Sequence, residues 1–94
     1  MTTYLVCHFE ARKGSEGKGC REILAQRIAE LWTGTLQLDG NWIVQADVTS
    51  SDHIRDELMS MISDGDSLLV IGAGKDAAWA GFQEADADWL VENI

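Results

Sequence analysis

An α+β fold with the element order β-α-β-β-α-β is predicted for this 94-residue chain by three observations. Two apolar runs, residues 3–9 and 67–73, have the composition of β-strands. Two longer stretches, residues 19–33 and 49–64, repeat apolar side chains every three or four residues, as amphipathic helices do. Between them, an Asp-Gly pair separates two β-rich runs, which is a strong signal for a hairpin.

The first strand and the first helix are predicted at residues 3–9 and 19–33, with the polar residues 10–18 as a loop between them. The strand is apolar on both faces, which suits a central position in a sheet. Gly34 is well placed to end the helix in a left-handed conformation. The expected buried stripe of the helix consists of Cys20, Ile23, Leu24, Ile28, Leu31 and Trp32.

The hairpin is centred on the Asp-Gly pair at residues 39–40, because type I′ turns need positive φ at both central residues. A two-residue loop pairs Leu36 with Ile43 on one face of the hairpin and Gln37 with Trp42 on the other. Both faces therefore carry an apolar side chain. We expect one face to lie against the helices and the other to form an interface.

The second helix is expected to begin after a cap at Thr49 or Ser50 and to stop at Gly65. The fourth strand follows at residues 67–73, and residues 86–94 are predicted as a short C-terminal helix that packs back on the domain.

This order is the split β-α-β pattern of the ferredoxin-like fold. Such a fold has a four-stranded antiparallel sheet with two helices on one face, and its first and third strands are central. The length of the chain is that of one domain, residues 1–94.

The charge of the chain is strongly uneven. Residues 1–55 carry seven acids and six bases, a net −1, whereas residues 56–94 carry nine acids and one base, a net −8. Such a chain repels phosphates, so we expect weak or no binding to nucleic acid. No apolar run approaches the ~20 residues that a membrane span needs. The N-terminus lacks the pattern of a signal peptide, so a cytoplasmic protein with no membrane partner is expected.

Acidic residues of the C-terminal half are candidates for a surface that binds a basic protein partner. The alternative is an ordinary solvated face without a partner. The candidates are Asp64, Asp66, Asp76, Glu84, Asp86, Asp88 and Glu92.

The glycine-rich stretch GSEGKGC has the composition of a phosphate-binding loop but not its spacing. The motif GxxxxGK[ST] requires a glycine where the chain has Arg12 and a hydroxyl where it has Gly19. The later VIGAGK stretch is followed by too little chain for a dinucleotide-binding unit. His8 and His53 lie outside metal-ligand spacings, so neither a nucleotide nor a metal cofactor is expected.

Several stretches of the chain resemble the SinR-like family: NWIVQADVTSSDHIRDEL, DGDSLLVIG, AAWAGF and DWLVENI. TYLVCHF and the Lys-Gly pair at 13–14 are similar to that family's first strand and loop. These proteins are small relatives of the ferredoxin-fold subunit of the CRISPR integration complex and of the VapD-type toxins. The resemblance implies a ferredoxin-like homodimer, in which the C-terminal segment of one subunit meets the sheet edge of the other.

The resemblance to the toxins and the integration subunit also implies a metal-dependent nuclease. One acid at the end of the first strand of each subunit would hold a shared Mg²⁺ or Mn²⁺ ion. In this register Phe9 takes the place of that acid, and Glu10 comes one residue late, on the opposite face of an extended strand. The site of such a nuclease would consist of His8 and Glu10, and the candidate phosphate-binding residues are Arg12, Lys13, Lys18 and Arg21.

Two functions are therefore compatible with the sequence. The favoured one is a small, acidic, non-catalytic interaction module without a cofactor, which occupies the basic nucleic-acid-binding surface of a defence complex in the manner of an anti-CRISPR protein. The alternative is an endonuclease or endoribonuclease that uses Mg²⁺ or Mn²⁺.

Overall fold

The computed structural model describes residues 2–10, 15–32, 34–38, 40–47 and 50–94, and for residues 15–20 it describes the backbone alone. The elements in chain order are β1 (Thr2–Phe9), α1 (Ser15–Leu31), β2 (Gly34–Leu38), β3 (Asn41–Ala46), α2 (Ser51–Leu58) with a following 3-10 turn (Met59–Met61), β4 (Ser67–Ala73) and α3 (Glu84–Asn93).

The four strands form one antiparallel sheet in the order β2-β3-β1-β4. The predicted ferredoxin-like fold is therefore confirmed, including the central positions of β1 and β3. The predicted hairpin register is also confirmed, because Leu36 pairs with Ile43 and Gln37 pairs with Trp42. Asp39, the first residue of the turn, lies outside the described residues.

The hydrophobic core lies between one face of the sheet and the helices α1 and α2. We call this side of the sheet the helix face and the other side the open face. Side chains of alternate strand residues enter the core from the helix face, as the two-residue period of a strand requires. The core comprises Tyr4, Val6, Trp42, Val44 and Ala46 of the sheet, Leu24, Ile28 and Trp32 of the α1 region, and Ile54 and Leu58 of α2.

The start of α1 differs from the prediction, because the helix begins at Ser15 rather than at residue 19. Serine is a favoured residue at helix starts, and Glu16 lies near the positive end of the helix dipole. The buried line of α1 runs through residues four apart, Leu24 and Ile28, whereas Ile23 beside it is 55% exposed. The predicted stripe is therefore wrong at Ile23, whereas the predicted Leu31 is partly buried and packs against the core.

Two glycines play roles other than the predicted helix caps. Gly34 is the first residue of β2, and a Cβ at this position would lie 3.0 Å from the Cβ of Gln45 on the adjacent strand. The absence of a side chain at Gly34 therefore allows β2 and β3 to approach closely, and Gly34 does not end α1. Gly65 has φ +88° and lies in a turn after α2 has already ended, where the Asp66 N–H donates to the Ser63 carbonyl at 3.0 Å.

The start of α2 agrees with one of the two predicted caps. Ser50 occupies the N-cap position with an extended backbone, but its side chain makes no capping hydrogen bond. The other predicted cap, Thr49, lies outside the described residues.

The C-terminal helix α3 begins at Glu84, two residues earlier than predicted, and covers part of the open face. Its Leu90 is buried and lines a cavity together with Leu5 and Ile43, which point away from α1 and α2. Gln45 of β3 donates hydrogen bonds to Asn93 of α3 and to Thr3 of β1. Within the described part of the chain, no helix has the length and apolar composition of a membrane span.

Replacement of Trp42 by alanine is expected to lower the free energy of unfolding by about 3–5 kcal/mol, because the truncation leaves a large cavity in the core. Trp42 is only 2% exposed and lies on a central strand. Urea denaturation followed by far-UV circular dichroism measures the effect. Trp79→Ala serves as the matched control, because Trp79 is 37% exposed. Equal losses of stability in the two variants would contradict this account of the core.

Candidate functional site

The predicted site residues meet at one end of the sheet, where β1 ends, the β2–β3 turn lies and β4 begins. The backbone N–H of His8 donates to the carbonyl of Gly40 in the turn at 2.9 Å. His8 lies opposite Leu68 in the β1–β4 register, so Asp66, just before β4, comes close to it. The antiparallel pairing of β1 with both neighbours therefore brings these three segments together.

His8 and Asp66 form a buried polar pair. His8 Nε2 lies 2.8 Å from Asp66 Oδ2, and their side chains are 0% and 5% exposed. The turn that contains Gly65 aims Asp66 back toward the end of β1. A histidine without solvent access cannot reach a substrate, so this pair joins β1 to the start of β4. Asp66, one of the acidic candidates for a partner-binding surface, thus directs its carboxylate to His8.

Glu10 is paired with Arg21 of α1, with 2.6 Å between Oε1 and Nη2. The arginine passes close to the hairpin turn, because a Cβ at Gly40 would lie 3.0 Å from Arg21 Nη2. Glycine at this position therefore leaves room for the arginine. Since α1 lies on the helix face, the ion pair holds Glu10 on that side of the sheet, and its side chain is 15% exposed.

Phe9 projects from the open face and is 55% exposed. Its neighbour across the sheet is Ser67. The position at which the resemblance expects a catalytic acid is thus occupied by an apolar side chain, and Glu10 lies on the other side. The described residues contain no group of three or more His, Cys, Asp or Glu side chains with the arrangement of a metal site.

Of the predicted phosphate-binding residues, the structure places only Arg21 at this end of the sheet, where it holds Glu10. Arg12 and Lys13 lie outside the described residues. Lys18 belongs to α1, but its side chain is not among those described.

The remaining acidic candidates lie at the surface. Asp64 is exposed in the turn before β4, and Asp76 is exposed in the segment that follows β4. On α3, Glu84, Asp88 and Glu92 are exposed and Asp86 is half-buried. Within the described part of the chain, no ion pair involves the carboxylates of α3.

The exposed side of α2 provides a contrast, because acids and bases are paired there. Arg55 donates hydrogen bonds to Asp56 at 2.9 and 3.1 Å. Hydrogen bonding to Asp56 is the main cause that raises the pKa of Arg55, and the negative charges of Asp56 and Asp52 raise it further. His53 is exposed and lies 4.0 Å from Glu57. Of these two helices, α3 therefore carries acids without ion pairs, whereas the charges of α2 are largely paired.

A cavity of about 380 Å³ on the open face was not predicted from the sequence. Trp79 and Phe82 line one side of it, in a segment between β4 and α3 that has neither helix nor strand. The only sequence signal was the AAWAGF stretch, in which two aromatic residues stand outside any helical or strand period.

No protein-family model, curated protein sequence or solved structure matches the chain.

Replacement of Asp66 by alanine is expected to lower the free energy of unfolding by about 1–3 kcal/mol, because His8 loses a buried hydrogen-bond partner. Asp64→Ala is the matched control and should change stability by no more than about 0.5 kcal/mol, as for other surface substitutions. Both values come from urea denaturation. If the two variants are equally stable, the His8–Asp66 pair does not join β1 to β4 as described.

Proposed function

We propose that the chain is a small acidic protein-binding module that acts without catalysis, by occupying the basic nucleic-acid-binding surface of a partner. The proposed partner class is a defence complex that binds nucleic acid, and a CRISPR integration complex is the example used in the test below. The observation that carries the proposal is the unpaired acidic surface of α3.

Complementary charge supports this function through association rate and partner choice. Residues 56–94 carry a net −8, and α3 contributes four acids and no base to it. A surface with one sign of charge attracts an opposite surface over distances near the Debye length, about 10 Å at 0.1 M salt. A surface built to bind phosphates has the required positive charge. α3 therefore resembles the nucleic acid that such a partner binds in two respects, its negative charge and its exposure to solvent.

The alternative function, a Mg²⁺- or Mn²⁺-dependent endonuclease or endoribonuclease, has weaker support. Phe9 stands on the exposed face where a carboxylate would be needed. Glu10 is turned away and its charge is balanced by Arg21. His8 is buried. These placements favour a binding function over hydrolysis.

Neutralisation of α3 is expected to slow association with a basic partner. The variant Glu84→Gln/Asp88→Asn/Glu92→Gln should bind a purified CRISPR integration complex roughly tenfold more slowly at low salt, because steering by charge contributes 10-fold or more to such rates. Stopped-flow mixing measures the rate, and fluorescence anisotropy reports the displacement of a labelled DNA duplex. The wild-type rate should fall steeply as salt is raised.

The control for this experiment carries the same change of net charge elsewhere. Glu22→Gln/Glu30→Gln/Asp47→Asn removes three exposed acids from the first half of the chain and should bind at nearly the wild-type rate. Equal slowing by both variants would refute a specific role for α3. Cleavage of DNA or RNA that requires Mg²⁺ or Mn²⁺ and disappears in Glu10→Ala would instead favour the nuclease.

We also propose that the chain forms a homodimer through the side of the sheet that β4 borders. β4 has the apolar composition of a central strand, yet among the described strands it pairs with β1 alone. Its Leu69 and Ile71 are 45% and 47% exposed on the open face, near Phe9. Monomeric proteins usually protect such an edge with charge, proline or a bulge, and Ser67–Ala73 carries neither charge nor proline.

A second copy of this chain is the occupant that fits the edge best. If β4 pairs antiparallel with β4 of a second copy across a two-fold axis, both chains contribute the same residues to the interface, as in other symmetric dimers. The uncharged edge also allows two chains of net charge −9 to meet without placing acids opposite each other.

Introduction of a charge on β4 is therefore expected to dissociate the dimer. Light scattering coupled to size-exclusion chromatography at micromolar concentration should give twice the chain mass for the wild type and the single chain mass for Ile71→Lys. Val91→Lys is the matched control, because Val91 is an exposed apolar residue of α3, and it should remain dimeric. A monomeric wild-type protein would contradict the proposal.

A further inference from the structure

The cavity on the open face is lined by three parts of the chain. Leu5 of β1 and Ile43 of β3 contribute from the sheet, and Leu90 contributes from α3. Trp79 and Phe82 contribute from the segment between β4 and α3. The cavity is therefore made by the packing of the C-terminal part of the chain over the sheet, and it lies apart from the His8–Asp66 end.

The size and the lining of this cavity suit a small organic ligand. Its volume is about 380 Å³, within the range of roughly 300–1,000 Å³ typical of small-molecule sites. Such sites are mainly apolar and contain a few polar groups that orient the ligand. Here the lining is aliphatic and aromatic, with the exposed Asp76 as the one side chain of full charge among the described residues that line it.

The charged groups around the cavity indicate whether it favours a positively or a negatively charged ligand. Asp76 contributes a carboxylate to the lining, and α3, whose Leu90 also lines the cavity, carries acids without bases. The neighbouring base Lys75 lines the adjacent pocket, together with Glu92, and not this cavity. An anionic ligand would meet repulsion from Asp76 and from α3. A cationic ligand would gain from both, and the gain would be larger in a partly enclosed apolar site than in water.

The aromatic side chains also favour a positively charged ligand. Trp79 and Phe82 are 37% and 40% exposed, so their rings are available at the cavity and are not consumed in the core. Aromatic faces attract ammonium and guanidinium groups, and Trp is the strongest of them. Together, an aromatic pair and one carboxylate are the groups by which proteins recognise organic cations.

We propose that this cavity binds an organic cation, an ammonium or guanidinium group attached to an apolar body. The apolar body lies on Leu5, Ile43 and Leu90, and the cationic group lies between Asp76 and the aromatic rings. This inference goes beyond the proposed partner-binding function and does not depend on it, since it concerns a separate site and a small ligand.

The test is a titration followed by ¹H–¹⁵N NMR, in which the indole N–H signal of Trp79 is assigned by its loss in Trp79→Phe. Phenyltrimethylammonium is the cationic probe, benzyl alcohol the neutral probe and benzenesulfonate the anionic probe. We expect saturable shifts of the Trp79 signal with the cation, affinity for the neutral probe at least tenfold weaker, and no saturation with the anion. A short acetylated peptide with one arginine is titrated in the same way. Tighter binding of the peptide than of phenyltrimethylammonium would identify a protein side chain as the ligand, and the reverse order would identify a free small cation.

The contribution of the carboxylate is tested with Asp76→Asn, which should weaken binding of the cation about tenfold and leave binding of benzyl alcohol unchanged. Asp64→Asn is the matched control, because Asp64 is exposed and lies in the turn before β4, and it should bind the cation as the wild type does. Unchanged spectra outside the cavity show that the variants are folded. Equal affinity for cation and neutral probe, or no saturable binding of either cationic probe, would overturn the inference.

Discussion

β1 is hydrogen-bonded on both sides, to β3 and to β4, and its alternation of side chains determines the rest of the structure. Tyr4 and Val6 enter the core beneath α1 and α2, and His8 lies on the same side. Leu5 and Phe9 belong to the open face, where Leu5 contributes to the cavity and Phe9 remains exposed. A register shift of one residue would exchange these two sets and bury the wrong side chains.

The same alternation separates the polar groups at the end of β1 from the surface that a substrate or partner would meet. His8 is closed off by Asp66, and Glu10 is held by Arg21. The first pair connects β1 with the start of β4, and the second pair connects the end of β1 with α1. The described polar groups at this end of the sheet therefore bind one another and hold β1 to its neighbours in the fold.

Surface chemistry is instead concentrated on the open face and on α3. α3 covers only part of that face, so the exposed Leu69 and Ile71 and the cavity near Trp79 lie on one side of the sheet. The acids of α3 lie on the helix that covers part of this face, and α3 has no base to balance them. An apolar surface, an aromatic cavity and an acidic helix are thus adjacent, and each is suited to a different kind of contact.

The sequence alone determined the order of the elements, the ferredoxin-like topology and the register of the hairpin. These depend on short-range signals, because an Asp-Gly turn sets the pairing of Leu36 with Ile43, and helical spacing identifies the stripe through Leu24 and Ile28. The uneven charge could also be counted without a structure.

Only the tertiary structure decided which polar and apolar side chains are available at the surface. Asp66 has the same local sequence character as the exposed Asp64, yet its side chain is only 5% exposed because β1–β4 pairing brings His8 to it. Gly34 and Gly40 are explained by neighbours distant in sequence, Gln45 and Arg21, each 3.0 Å from where a Cβ would lie. The cavity depends on α3 and Trp79 meeting β1 and β3. Contacts between residues far apart in the chain leave no periodic pattern in the sequence, so they become visible only when the sheet and its covering segments are assembled.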